Sequence, residues 1–186
     1  MENDVMWVSL DGRTIEHLQL ETSEESVEAD GLIIRVGEDS CIHYKIECDS
    51  RWRVRKLEII RSGNDHSGSL ILLSDGSGHW KTEQDEPLKD LEGCIDVDIY
   101  ASPFTNTIAI RRLGLKPKEV QTIRACFVSL PDLQVSAVPQ RYTLQNLNDS
   151  GAMYLYEGLT SGFKTDLPID QNGFVIDYPQ FFRRIL

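Results

Sequence analysis

The chain has 186 residues, with 30 acidic and 19 basic side chains and a formal net charge of −11 at pH 7. Residues 1–50 alone hold 13 acidic and 3 basic side chains, so the negative charge is concentrated in the N-terminal quarter. A polyanion such as DNA would be repelled by this field, and we therefore expect no nucleic acid as a partner. The length is that of one ordinary domain, and we predict a single domain over residues 1–186.

The first thirty residues show no clear pattern of secondary structure. Glu21, Glu24, Glu25 and Glu28 follow one another closely in this segment. We predict either a short acidic helix or a loose arm here.

Short apolar runs separated by turn residues dominate from residue 31 onward. Alternating apolar and polar residues, as in CIHYKIEC, are typical of a half-buried β-strand. The Asp75-Gly76 pair supplies the positive φ that a tight hairpin needs, and a second turn is predicted at 62–68. Strands are predicted at 31–36, 41–48, 52–60, 69–73, 94–100, 122–129, 133–138, 140–144, 152–156 and 174–178. Strands at such short spacing indicate a mostly antiparallel sheet.

The best helix signal lies at 103–113. Ser102 is suited to cap the first amide groups, and Pro103 fits the first helical position. Apolar residues recur at helical spacing within the segment, and Gly114 is suited to end it. We predict one helix of about three turns.

Asp96 and Asp98 are the candidate site carboxylates. On a strand, residues i and i+2 share one face, so both carboxylates point the same way, roughly 6 to 7 Å apart. Such a pair can accept hydrogen bonds from sugar hydroxyls in a pocket, or act as acid and base in a glycosidase. Polar residues on the wet face of an antiparallel strand are also common without any function. A third alternative is a structural pairing with Arg111 or Arg112.

Other polar and aromatic side chains add further candidates. Asn106, at the start of the helix, either satisfies free backbone amides or belongs to a pocket. Arg112 either pairs with a carboxylate of the chain or reaches a phosphate or a pocket aspartate. Trp52 and Trp80 are each either core residues or stacking surfaces for a sugar ring.

Several classes of site and location are not supported by the sequence. The N-terminal MENDVMWVSLDG has neither the basic nor the apolar region of a signal peptide, and no apolar run approaches the ~18 residues of a membrane span. Cys41, Cys48, Cys94 and Cys126 have no C-x-x-C spacing and lie in or near apolar runs. We therefore expect a cytoplasmic protein with free, buried thiols, no metal and no cofactor.

Five blocks of the sequence, taken in order, resemble a bacterial family of glycolipid-binding proteins that was formerly a domain of unknown function. They are DSRWRVRKLEI (49–59), SDGSGHW (74–80), LEGCIDVDIYASPFTNTIAIRRLGL (91–115), PQRYTLQNL (139–147) and FVIDYPQFFRR (174–184). The third block is the most specific. The family usually has threonine and proline where this chain has Ser102 and Ala109, a difference that affects helix geometry more than pocket chemistry.

The resemblance implies a mainly β (α+β) fold. Its many-stranded, curved antiparallel sheet would be open and barrel-like and would wrap around a single α-helix, remotely similar in shape to lipoprotein-localisation factors. It also implies a homodimer, an acidic pocket and a glycolipid or related amphiphile as the partner. By position, Asp96 and Asp98 would form the acidic pocket. The full set of candidate ligand-binding residues is Asp96, Asp98, Asn106, Arg112, Arg55, Trp80, Trp52 and Tyr142.

The prediction as a whole is a binder or carrier without chemistry of its own, with a role in glycolipid metabolism or cell-envelope stress. It would use an acidic pocket beside an apolar cleft. The alternative is a carbohydrate-active enzyme that uses Asp96 and Asp98 as its carboxylate pair.

Overall fold

The computed structural model describes residues 2–37, 40–63 and 67–186. These residues form fourteen strands, one helix and one 3-10 turn at Lys89–Leu91. The strands are β1 (Glu2–Ser9), β2 (Thr14–Thr22), β3 (Ser26–Arg35), β4 (Ser40–Asp49), β5 (Val54–Gly63), β6 (Gly68–Ser74), β7 (Trp80–Thr82), β8 (Asp96–Ile99), β9 (Val120–Val128), β10 (Val135–Asn148), β11 (Gly151–Gly158), β12 (Phe163–Asp170), β13 (Asp177–Tyr178) and β14 (Phe182–Arg184). The helix α1 is Phe104–Leu113.

The strands are arranged in two sheets that together form a half-barrel. The larger sheet has nine strands in the order β13-β14-β1-β2-β3-β4-β5-β6-β7, and the smaller has five in the order β12-β11-β10-β9-β8. Neighbouring strands are antiparallel, apart from the parallel pair β8 and β9. The two sheets meet where Ile169 of β12 bridges Val175 and the Ile176 N–H donates to the Pro168 carbonyl at 2.8 Å. The predicted mainly β fold with a curved sheet around one helix is confirmed.

Helix α1 lies between the sheets and is buried along most of its length. Phe104 and Ile108 join the large apolar cluster built mainly from β1 to β8. Ala109 and Ile110 join a second cluster formed with β9 to β12. Because both clusters use the helix, burying it contributes to the packing of both sheets at once.

The prediction for the first thirty residues is wrong, because this segment forms β1, β2 and the start of β3. Val5 and Trp7 on β1, and Leu18 and Leu20 on β2, are buried at alternate positions. Acidic residues such as Glu28 occupy exposed positions between buried ones. Their density in the sequence hides the period-2 pattern that drives strand formation here.

Two other details differ from the sequence-based expectations. Strands β12 and β14 are additional, and the two predicted strands at 133–144 are one continuous strand, β10. Pro139 is tolerated within β10 even though it lacks an N–H, and its carbonyl accepts a hydrogen bond from the Leu159 N–H. The hairpin at Asp75-Gly76 is confirmed by the antiparallel pairing of β6 with β7. The middle of the other predicted turn, 64–66, lies outside the described residues.

Candidate functional site

A cavity of about 820 Å³ lies between the two sheets at the N-terminal end of α1. One wall is polar and comes from the end of β8, the start of α1 and β10. The opposite wall is rich in aromatic rings from β11, β12, β13 and the turn before β14. The lining residues used below are Asp98, Asn106, Gln140, Val138, Tyr156, Phe163, Tyr178, Phe181, Asp11 and Arg35.

Asp98 is the carboxylate of this cavity. One of its oxygens accepts a hydrogen bond from Gln140 Nε2 at 2.6 Å, and the other accepts one from Thr105 Oγ1 at 3.2 Å. Removal from water raises the pKa of the Asp98 carboxyl, although the two hydrogen bonds act in the opposite direction. Two donors leave about half of the acceptor capacity of the carboxylate unused, so it is able to accept hydrogen bonds from a ligand.

A network of neutral side chains connects this carboxylate to the helix. The Tyr142 hydroxyl donates to Asn106 Oδ1 at 3.0 Å and lies 3.5 Å from Gln140 Oε1. Asn106 Nδ2 in turn donates to the Pro103 carbonyl at 3.3 Å. Asn106 and Gln140 are therefore held in fixed orientations at the cavity wall, with Tyr142 buried behind them.

Asp96 has a different environment from Asp98 although the two lie two residues apart on β8. It is 1% exposed and accepts two hydrogen bonds from Arg112, one from Nε and one from Nη2, both at 2.6 Å. Burial raises the pKa of Asp96, and the Arg112 guanidinium opposes that rise. The strand thus runs alongside the helix with Asp98 bonded to Thr105 in the first turn and Asp96 to Arg112 in the last. This is the structural pairing that the sequence left open as an alternative, and Asp96 does not line the cavity.

Glu16 of β2 is a buried carboxylate that the sequence analysis did not identify. Its Oε1 accepts hydrogen bonds from the Tyr44 hydroxyl at 2.6 Å and from Ser102 Oγ at 2.5 Å. Its Oε2 lies 3.4 Å from the Phe104 N–H, so Glu16 takes the capping role that the sequence predicts for Ser102. Burial raises the pKa of Glu16 to about 7, against the effect of these hydrogen bonds. The other end of α1 is as predicted, with Gly114 in the left-handed conformation at φ 52°.

The aromatic wall is also absent from the sequence-based list of site residues. Phe163 and Tyr178 have nearly parallel rings, at an interplanar angle of 8°, with centroids 6.3 Å apart. Tyr156 contacts both rings from the buried side, with centroid distances of 6.3 and 6.4 Å. Phe181 contacts both from the exposed side, at 5.4 and 5.6 Å. We call these four residues the aromatic cluster, and their scattered positions in the chain gave no local signal.

Besides Asp96, Arg112 and Tyr142, three more candidates are not lining residues of the cavity. Arg55 lies against the turn at Gly76 and is 3.9 Å from the Asp49 carboxylate. The Trp52 ring is buried under the Arg111 guanidinium, at 5.1 Å from ring centroid to Cζ. Trp80 is buried, and its Nε1 donates to the Cys94 carbonyl at 2.6 Å.

Of the eight predicted site residues, the structure brings five together around α1. Asp98 and Asn106 line the cavity, Tyr142 supports Asn106, and Asp96 and Arg112 form the adjacent ion pair.

Three further features of the described part of the chain bear on its function: the cysteines, the potential metal ligands and the apolar character of the helix. The four cysteines are unpaired thiols, three of them buried and Cys41 half-buried, close to the expectation. No three His, Cys, Asp or Glu side chains among the described residues converge in a way that could hold a metal ion. Among these residues there is also no helix with the length and apolar character needed to cross a membrane.

The fold and the cavity define the class of protein: a β half-barrel wrapped around one helix, with an internal space at the helix start. The chain belongs to the family described as "Putative glycolipid-binding", whose model matches residues 4–184. It is also similar to a DUF1089 family protein from Pseudomonas aeruginosa of known crystal structure. The two share 35% sequence identity and a TM-score of 0.80 over 93% of this chain and 92% of that chain. No curated protein matches this chain.

Proposed function

We propose that this protein binds a glycolipid or a related amphiphile in the cavity at the N-terminal end of α1, without catalysing a reaction. The observation that carries the proposal is the two-sided lining of that cavity. Asp98, Asn106 and Gln140 offer acceptors and donors for a polar head group, and the aromatic cluster offers an apolar wall. A volume of about 820 Å³ is within the range of small-molecule sites.

The family description supports the same ligand class, since it names glycolipid binding. The orientation of the ligand follows from the lining. The head group would contact the fixed polar network at the helix start, because hydroxyl groups left without partners in an apolar site are unfavourable. The acyl chain or other apolar part would lie against apolar lining residues such as Phe127, Val138 and Pro139.

The enzymatic alternative requires Asp96 and Asp98 to face one common space. Asp96 is instead held by Arg112 and is not a lining residue of the cavity. The carboxylate pair that this alternative names is therefore not formed in the cavity, and the binding function is the better supported of the two.

A cavity-filling substitution tests the proposal. Val138 lines the cavity from β10, so Val138→Trp is expected to occupy part of its volume. Val120 on β9 is 55% exposed and outside the lining, which makes Val120→Trp the matched control. The measurement is isothermal titration of octyl β-D-glucoside below its critical micelle concentration, with native mass spectrometry of the same samples. We expect saturable binding to the wild type and to Val120→Trp, and a loss of at least tenfold in affinity for Val138→Trp. Equal binding by all three proteins, or no binding by the wild type, would contradict the proposal.

Two further proposals concern the assembly and the location of the protein; the first follows from the family resemblance and the second from the unpaired cysteine thiols. The protein would act as a homodimer, which sedimentation equilibrium tests directly through the mass of the assembly. It would act in the cytoplasm, which fractionation of the producing cell tests.

A further inference from the structure

The cavity contains a carboxylate without a cationic partner. None of the ion pairs formed within residues 2–37, 40–63 and 67–186 includes Asp98, whose two hydrogen-bond donors, Gln140 and Thr105, are both neutral. Two other aspartates that are largely shielded from solvent each pair with an arginine. Asp96 pairs with Arg112, and Asp170 pairs with Arg184 at 2.5 Å.

The aromatic cluster is the second component. Its four rings lie within 5.4 to 6.4 Å of their neighbours, centroid to centroid, and extend from the buried Tyr156 to the half-exposed Phe181. The faces of such rings are electron-rich and attract cations, and ammonium groups are commonly recognised by clusters of aromatic rings.

The carboxylate and the rings share one space, since all of them line the same cavity. Burial raises the pKa of the Tyr156 and Tyr178 phenols, and the negative charge of Asp98 raises both further. A group bound in this cavity therefore has both the rings and the Asp98 carboxylate within its walls.

The charge of the surroundings favours a cation over an anion. Among the described residues, the charged side chains that line the cavity are Asp11, Asp98 and Arg35. The Arg35 guanidinium lies over the Tyr100 ring, at 5.7 Å from its centroid. The chain as a whole carries a net charge of −11, which raises the local concentration of cations and repels anionic ligands.

We propose that the cavity selects amphiphiles whose head group carries an ammonium group, which would sit between the aromatic cluster and Asp98. This inference rests on the proposed amphiphile-binding function and narrows its ligand class. An amino sugar or a quaternary amine on an apolar chain fits this description, whereas a phosphate or sulfate head group does not.

The test uses three probes with the same ten-carbon chain: decyltrimethylammonium, decyl β-D-glucoside and decyl sulfate. Each is titrated below its critical micelle concentration into the wild type, Asp98→Asn and Glu28→Gln. Glu28 is an exposed residue of β3, so Glu28→Gln removes the same charge away from the cavity. Circular dichroism shows which variants are folded. Phe181→Leu is a further variant, since it removes a half-exposed ring of the cluster and keeps an apolar side chain.

We expect the ammonium probe to bind most tightly and the sulfate probe most weakly. Asp98→Asn is expected to lower the affinity for the ammonium probe by roughly tenfold or more, since an ion pair is lost, and to change the affinity for the glucoside less than about twofold. Phe181→Leu is expected to lower the affinity for the ammonium probe by roughly two- to fivefold, with a smaller effect on the glucoside. Glu28→Gln should bind all three probes as the wild type does.

The outcomes separate this inference from the function on which it rests. Saturable binding of the glucoside with no preference for ammonium, or equal losses for both probes in Asp98→Asn and Phe181→Leu, would overturn the ammonium assignment and leave amphiphile binding in place. An equal loss in Glu28→Gln and Asp98→Asn would show attraction to the acidic surface and would also overturn it. Absence of binding by all three probes would refute both proposals.

Discussion

Replacing Glu16 by glutamine should remove a large part of the pH dependence of stability between about pH 4.5 and 7. Glu16 is fully buried below the start of α1, and its carboxylate accepts hydrogen bonds from Tyr44 and Ser102. Burial raises its pKa from 4.5 to about 7, so the folded protein keeps a proton on this carboxyl that the unfolded chain releases.

The sign and size of the effect follow from this difference. Where the folded state binds more protons than the unfolded state, stability falls as the pH rises. The contribution of Glu16 is therefore fully present below about pH 4.5, and is lost as the pH rises towards 7. Each pKa unit corresponds to about 1.4 kcal/mol, so the shift corresponds to about 3 kcal/mol of lost stability across this window. The side-chain amide introduced by Glu16→Gln does not ionise, so the variant should not show this loss.

Urea unfolding followed by tryptophan fluorescence, repeated from pH 4.5 to 8, measures the effect. The informative quantity is the difference in unfolding free energy between wild type and Glu16→Gln at each pH, because all other titrating groups cancel in it. A constant offset is expected from the altered contact with the Phe104 N–H. Glu21→Gln, at an exposed position of β2, is the control, and its unfolding free energy is expected to keep the pH dependence of the wild type. If the wild type and Glu16→Gln curves run parallel, the carboxyl is not buried in the way described here.

Two further substitutions test the packing around the site. Gly31 on β3 lies under the Tyr44 ring of β4, where an added Cβ would overlap the ring. Gly31→Ala should lower the unfolding free energy by about 1–3 kcal/mol, and by much less in a Tyr44→Ala background; a loss below about 0.5 kcal/mol on its own would contradict this. Arg112→Met should cost about 3–5 kcal/mol by leaving Asp96 buried without a partner, and adding Asp96→Leu should restore part of that stability. Additive losses in this double variant would show that the two side chains are not coupled.

The strands were predictable where apolar and polar residues alternate clearly along the chain. Residues 41–48 were predicted as a strand from CIHYKIEC and lie within β4. Residues 2–22 were not, because a high density of acidic residues at exposed positions resembles a solvated segment. The end of the helix was predictable because a left-handed Gly114 is a local backbone requirement.

The site was only partly predictable, because its contacts join distant parts of the chain. Asp98 was identified from the i, i+2 spacing of two carboxylates on a predicted strand, and Asn106 from its position at the start of the predicted helix. The role of Glu16 depends on Ser102, 86 residues further along, and no local pattern indicates that pairing. The separate roles of Asp96 and Asp98 were likewise open, since either carboxylate could have met an arginine of the helix.

Local chemistry in the sequence was sufficient for the strand-rich fold, the single helix, its glycine end and the family, because alternation, turn residues and specific motifs act over a few neighbouring positions. Tertiary packing alone determined which carboxylate faces the cavity and which is neutralised. The helix lies against β8 so that Arg112 reaches Asp96 and Thr105 reaches Asp98. Packing also assembled the aromatic cluster from β11, β12, β13 and the turn before β14. Such contacts arise from the closure of two sheets around one helix, a long-range event that no short stretch of sequence encodes.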